Sequence, residues 1–320
     1  MEVSDMLHPG ERAVQELAGE AERGRQIGRM LSPVVPDRLQ GFLEQQHWLT
    51  AASIDADGRP WASVWLGSSA GWAVVSPVGD TVRFDLRVAP IHPADVLDAN
   101  LRRDPRLAIL ALELESRRRM RVNGRVTALR ESHLEMAVEQ AFPNCPKYIQ
   151  RRNTSPAGAV DASSVSDSAS VTDGLSDDQR ALIRLADTCL VASVNRDAGA
   201  DASHRGGAPG FVRCDAGNRL RIADYPGNSM FNTLGNIHRT PRAGLTFVDF
   251  DTGRVLQLTG EAALDFGPAP TEAVDPTGGT GRWWTLDVVT ARDWQLPAAL
   301  GWSFVDASPF NPPPADSTAD

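Results

Sequence analysis

The sequence predicts a mainly β chain that carries two tandem copies of one barrel or sandwich domain. Three observations predict it: short apolar runs separated by turn signals, a second set of such runs in the same order, and a polar break between the sets. A chain of 320 residues is also too long for one ordinary core and suits two domains of moderate size.

Residues 1–46 read as a helical segment. Val14, Leu17 and Ala21 recur at roughly helical spacing with charges between them, which predicts a helix over 11–31 that Pro33 and Pro36 end. A second helix, from about Pro36 to Gln45, leads into β structure. The first β-domain, 47–152, holds apolar runs at 49–54, 61–66, 72–75, 82–86, 107–112 and 120–127. Asp57 and Gly58 between the first two runs signal a hairpin, because both tolerate positive φ. Residues 153–178 are dominated by Ser, Ala, Asp, Thr and Gly and contain no aromatic residue. They bury too little apolar surface to offset their ordering entropy, which predicts a flexible linker. The second β-domain spans 179–306, and the Pro-rich stretch 307–320 predicts a disordered tail.

The repeat is visible residue by residue. Ala52, Ser53, Ala62 and Ser63 recur as Ala192, Ser193, Ala202 and Ser203, an offset of 140 residues. Downstream, residues 82–85 correspond to 220–224, and residues 101–106 match 237–242. The prolines Pro105 and Pro241 are each followed 19 residues later by a glycine, Gly124 and Gly260, that reads as ending a strand. There the offset is 136, so a short deletion separates the registers. Four such coincidences in order indicate a duplicated domain. A linker of this length lets the copies pack face to face, as joined subunits of a dimer do.

Composition narrows the function. The net charge of -9 argues against a nucleic-acid or anionic-membrane partner, since phosphate repels an acidic surface. Cys145, Cys189 and Cys214 are odd in number and lack C-x-x-C spacing, which predicts free thiols and no metal site. No apolar stretch reaches the roughly 18 residues that cross a bilayer, and the first residues lack a signal peptide's apolar region. A cytoplasmic location is the expectation.

The differences between the copies locate a site. Residues 201–212 are polar, basic and glycine-rich where a strand should run, and strand glycines mark close approach of a ligand to backbone. Arg205 there suits a bidentate contact with phosphate or carboxylate. Residues 224–236 read as a turn at Pro226 and Gly227, then a helix capped by Asn228 or Ser229, whose free amides make a phosphate site. The matching first-half region, 89–95, carries prolines and an acidic residue, so one competent site per chain follows. Residues 117–121, four arginines around Met120, read as a solvated strand end, with a basic wall facing substrate as the alternative.

Residues 201–212, 224–236, 241–251 and 257–260, together with Phe-Pro-Asn-Cys-Pro-Lys-Tyr-Ile-Gln-Arg-Arg at 142–152, resemble the FMN-binding split barrels of the pyridoxamine 5'-phosphate oxidase-like superfamily, especially its two-domain bacterial members. The resemblance covers roughly residues 40–305. It implies two tandem split β-barrels with flanking helices, packed as an intrachain pseudo-dimer with FMN between them. It also implies that Ser203, His204, Arg205 and Gly206 line the flavin strand. Asn232 and Thr233 fall where the oxidases place an Arg-Lys pair on the phosphate, with Asp224, Asn228 and Ser229 nearby. Gln257 falls near a strand position that hydrogen-bonds the flavin, and Lys147 and Tyr148 are the partner barrel's contribution. The absence of an Arg-x-His motif near the C-terminus departs from true pyridoxamine-phosphate oxidases. The implied function is an FMN-dependent oxidoreductase on a small-molecule substrate, fed by a nicotinamide donor or a partner reductase, as a monomer or homodimer. No residue is assigned as catalytic. A non-catalytic binding or sensing protein for flavin, deazaflavin or haem is the alternative.

Overall fold

The computed structural model describes residues 6–155, 169–215, 217–267, 275–296 and 301–312. The N-terminal segment forms α1 (Pro9–Leu17), α2 (Ala21–Gly28) and α3 (Asp37–Glu44). The single helix expected over 11–31 is broken at Gly19, whose φ of +67° no helix accommodates.

The first copy comprises β1 (Trp48–Ile54), β2 (Pro60–Leu66), β3 (Ala73–Val75), β4 (Thr81–Asp85), α4 (Leu97–Leu101), β5 (Arg106–Glu113), β6 (Arg118–Leu129) and β7 (His133–Pro143). Its strands form one antiparallel sheet in the order β2-β1-β5-β6-β7-β4-β3. After β8 (Arg151–Thr154) and β9 (Ser170–Thr172) comes α5 (Asp177–Leu185). The second copy follows as β10 (Thr188–Asn195), β11 (Gly199–Gly206), β12 (Val212–Cys214), β13 (Arg219–Ala223), α6 (Asn232–Arg239), β14 (Arg242–Val248), β15 (Arg254–Phe266) and β16 (Arg282–Gln295). Its order, β11-β10-β14-β15-β16-β13-β12, repeats the first strand for strand, with β9 added beside β16. The chain is mainly β, with two large antiparallel sheets as tandem split barrels present them.

The duplication extends to single hydrogen bonds. Asn100 donates to Ser53 at 3.0 Å, and its mate Asn236 donates to Ser193 at 3.0 Å. Gly124 and Gly260 each sit at a β-bulge inside a strand rather than at its end. A Cβ there would run into the backbone carbonyl of Ala137 or Asp287, so only glycine fits.

Each copy has its own core, around Trp65, Trp72 and Phe84 in the first and Phe247 and Trp284 in the second. A third cluster lies between them, where β1, β2, β5 and β6 pack on β10, β11, β14 and β15. It includes Trp48, Ile54, Leu110, Leu190, Phe250, Trp294 and Trp302. Burying each large side chain there contributes about 1.5–3 kcal/mol, which makes the copies one packed body. The edge carbonyls of β2 are also satisfied across the seam: Thr246 and Gln257 donate to Ala62 at 2.6 and 2.9 Å, and Thr259 donates to Pro60 at 2.9 Å.

Several sequence expectations are corrected at the ends. The end of β8, all of β9 and the start of α5 lie inside the stretch read as linker, and residues 156–168 of it lie outside the described residues. The tail is held as far as it is described. β17 (Trp302–Asp306) pairs with β8, and Ser308 and Asn311 bond the side chain of Gln150. Residues 313–320 lie outside the described residues. Among the described residues no helix is long and apolar enough to cross a membrane.

Candidate functional site

The strand period decides which arginines of the 117–121 run face the seam. Met120 enters the first core and Arg118 lies over Phe42, so Arg119 and Arg121 project to the opposite face. There they meet β11. Arg121 donates to Asp201 at 3.0 Å and to the Asn232 side chain at 3.0 Å. Arg119 reaches Nδ1 of His204 at 3.0 Å and donates to the carbonyl of Cys145 at 2.8 Å. Arg205 stands 3.7 Å from Asp224, which is shared with Arg282 at 3.0 Å. The expectation of a solvated strand end is thus overturned by the neighbouring copy, which covers two of its arginines.

These groups wall a narrow cleft that opens to solvent. The first copy contributes Arg119, Arg121, Asn144, Cys145, Lys147 and Tyr148. The second contributes His204, Arg205, Gly206, Phe211, Tyr225 and Asn228, among others. The rings of Tyr148 and Tyr225 lie 4.9 Å apart, and the Tyr148 hydroxyl donates to the carbonyl of Pro226 at 2.9 Å. Tyr148 adopts a left-handed φ of +66°.

The electrostatics are those of a site awaiting an anion. Burial, then the neighbouring Arg121 and Arg205, push the Arg119 guanidinium down to about 9. Burial also lowers Arg121, against the pull of Asp201, and raises Asp201. His204 falls well below its ordinary value, through burial and then the surrounding guanidinium groups, so its imidazole is neutral. Burial raises both Tyr148 and Tyr225 to about 12, which keeps their phenols protonated. Nε of Arg121, Nε of Arg205, Nε2 of His204 and both amide atoms of Asn144 have no partner. Each such group costs about 1–3 kcal/mol while unmet, so a ligand bearing several acceptor oxygens is stabilised here.

Of the residues singled out in the sequence, Lys147, Tyr148, His204, Arg205, Gly206 and Asn228 line this cleft. Ser203 and Thr233 lie behind it, hydroxyl to hydroxyl at 2.9 Å. The start of α6 is not the open phosphate site expected. Phe231, left-handed at φ +58°, is the N-cap, and no side chain caps the helix. Asn228 instead accepts from the Met230 amide at 3.1 Å. Ser229 bonds Glu20, and Asn232 bonds the buried carboxyl of Glu11 on α1. Protein groups fill the position, and an acidic one stands where an anion would go. Arg119 and Arg121 line the cleft as the alternative reading of the 117–121 run, a basic wall, has it, and Tyr225 lines it without having been singled out. The apolar Met120 between two arginines was the available signal for that wall.

Gln257 lies elsewhere. It is the repeat mate of Arg121 and belongs to the seam's other, pseudo-symmetric position. There its side chain donates to Asp95 at 3.0 Å and accepts from Trp294 at 2.8 Å. Asp95 in turn accepts from Ser63 at 2.6 Å, and His92 stacks on Trp294 at 4.5 Å. Burial raises the Asp95 carboxyl to about 6. That second position is packed with side chains. No group of three or more His, Cys, Asp or Glu placed to hold a metal occurs among the described residues.

The pyridoxamine 5'-phosphate oxidase family model matches residues 35–164, the stretch that carries the first barrel, and the second barrel repeats that topology. Residues 35–164 belong to the pyridoxamine 5'-phosphate oxidase-like split-barrel superfamily. The match falls on the first copy of this superfamily's fold, whereas the resemblance in sequence was placed chiefly on the second. Among solved structures, HupZ of Group A Streptococcus is similar at 16% identity and a TM-score of 0.31, over 39% of this chain and 97% of that one. The heme storage protein HutZ of Vibrio cholerae is similar at 15% identity and a TM-score of 0.24, over 35% and 96%. An F420 reductase is similar at 14% identity and a TM-score of 0.23, over 35% and 97%. No curated protein matches the chain.

Proposed function

We propose that the seam cleft binds FMN by its phosphate and that the protein is an FMN-dependent oxidoreductase acting on a small organic substrate. One observation carries the reading: Arg119, Arg121 and Arg205 converge on a cleft in which two of them keep an unpartnered Nε. A phosphate dianion offers oxygens to those donors and relieves the repulsion among three guanidinium groups. Phe211, Tyr148 and Tyr225 supply the aromatic wall that a flat ring system packs against. FMN, when bound, supplies hydride or electron transfer. The chain's own part is to hold the phosphate, to offer the Tyr225 hydroxyl, which stays protonated, and to keep water from one side of the cleft. A reduced nicotinamide or a partner reductase in the cytoplasm is the donor in this reading.

The test starts with the absorption spectrum of the purified chain and a fluorescence titration with FMN and riboflavin. FMN binds about tenfold or more tightly than riboflavin if the arginines hold the phosphate, the factor expected of one charge-assisted hydrogen bond. Arg205→Ala removes that preference while leaving riboflavin binding unchanged. Equal FMN affinity in wild type and variant would sink the assignment. Bleaching of bound FMN by a reduced nicotinamide, without air, separates the oxidoreductase from a storage or sensing protein. Haem is the second reading, with His204 as axial ligand once Nδ1 gives up accepting from Arg119 and takes the ring proton from Nε2. A Soret band lost in His204→Ala would establish it, and a deazaflavin spectrum would replace FMN by its analogue.

A further inference from the structure

We propose that the seam cleft captures an anionic carbonyl compound, a phosphorylated or carboxylated aldehyde, as an imine on Lys147. The chain has 32 Lys and Arg residues, and Lys147 is its one lysine. Arginine serves at every other cationic position, so charge alone does not account for a lysine here. What lysine adds is a nucleophilic amine, which a guanidinium cannot supply. Lys147 is one of the residues that line the cleft with Arg119, Arg121 and Arg205, and its amine lies over the neighbouring Phe310 ring.

Lys147 is positioned without being neutralised. No ion pair with a carboxylate is found for it among the described residues, and its Nζ lies 5.1 Å from the centre of the Phe310 ring. The loop that carries it is tied on both sides. Arg119 donates to the Cys145 carbonyl at 2.8 Å, the Tyr148 amide donates to Ser308 at 3.1 Å, and Arg117 donates to the Ile149 carbonyl at 2.8 Å. Pro143 and Pro146 restrict it further. The anion end of the ligand has its own built partners. Arg121 and His204, only 6% and 2% exposed, each keep an unpartnered nitrogen in residues that line the same cleft.

The step balances without an oxidant. The unprotonated amine adds its lone pair to the carbonyl carbon, and the carbonyl π pair moves to oxygen, which takes up the proton that nitrogen gives up. Loss of that oxygen as water leaves the carbon–nitrogen double bond, and water reverses it. The capture goes beyond the flavin reading and does not rest on it, because FMN enters only as a competitor for the arginines.

Lys147 and the α-amino group are the chain's only primary amines, which makes the test decisive. The full chain is treated with 4-formylphenyl phosphate and cyanoborohydride, and adducts are read by intact mass and peptide mapping. The expected result is one adduct, on Lys147, formed at least about tenfold faster than with benzaldehyde, the factor of one charged hydrogen bond. Inorganic phosphate suppresses it, and Lys147→Arg lacks it while melting as wild type does. An adduct on the α-amino group at equal rate, equal labelling by benzaldehyde, or no adduct overturns the proposal. Fluorescence titration of the same samples with FMN keeps the two readings apart. FMN binding without an adduct defeats the capture alone, and an adduct without FMN binding defeats the flavin reading alone.

Discussion

Glu11 shows how much a single carboxyl can determine. Its oxygens meet the amide of His8 and the side chain of Asn232 in a fully buried position. Burial pushes it up to about 8, ahead of every other cause. The folded chain therefore holds a proton that the unfolded chain, near 4.5, has already released, and stability falls as pH rises between those values. His8 works the other way: burial lowers it to about 4, so its contribution rises with pH up to 6.5 and is flat above. Asp95 is spent by about 6. Between pH 6.5 and 8, Glu11 dominates. The expected outcome is a melting temperature that declines across this window in the wild type and stays level in Glu11→Gln, by several degrees at the upper end. A slope unchanged by the substitution would mean that the carboxyl is already ionised in the fold.

At the scale of elements, the bulged strands β6 and β15 matter most, since they aim Arg119 and Arg121 in one copy and Gln257 in the other. Their glycines occupy positions where a Cβ meets backbone, not a side chain that could swing away. Gly124→Ala and Gly260→Ala are therefore each expected to destabilise by about 1–3 kcal/mol, read as a lower midpoint in urea. An unchanged midpoint in either would show that the strand can give. The sequence revealed these elements unevenly. Alternating apolar runs and the Asp57-Gly58 turn made most first-copy strands legible. β7 was missed, because its long, half-exposed face carries Glu135, Glu139 and Gln140 and breaks the apolar signal. The start of α6 was misread because good capping residues, Asn228 and Ser229, precede it. Tertiary partners on α1 and α2 claim that end instead, and nothing local in residues 224–236 announces a segment more than 200 residues away.

The whole molecule is a duplicated domain whose two seam positions have diverged. Internal repetition made the pairing of copies legible, because it needs only like residues at a fixed offset. The fate of each seam position was not legible, because it depends on which side chains cross from the opposite copy. At one position Arg121 faces Asp201 beside an open cleft. At its mate, Gln257 bridges Asp95 and Trp294 and donates to the edge of β2, so the space is consumed by hydrogen bonds. Among the described residues an open cleft thus lies at one of the two seam positions, and the packed position serves cohesion between the copies. Gln257→Ala leaves the Asp95 carboxyl and the Trp294 indole without their partner in a buried place, at about 1–3 kcal/mol per unmet group. The expected outcome is a melting temperature several degrees lower, with FMN stoichiometry near one per chain and affinity within about twofold of wild type, since buried-contact losses far from a ligand add independently of its binding. Isothermal titration and thermal melts on the same preparation read both quantities. A second equivalent of FMN, or an affinity loss that tracks the stability loss, would show that the two seam positions communicate or that the packed one still opens.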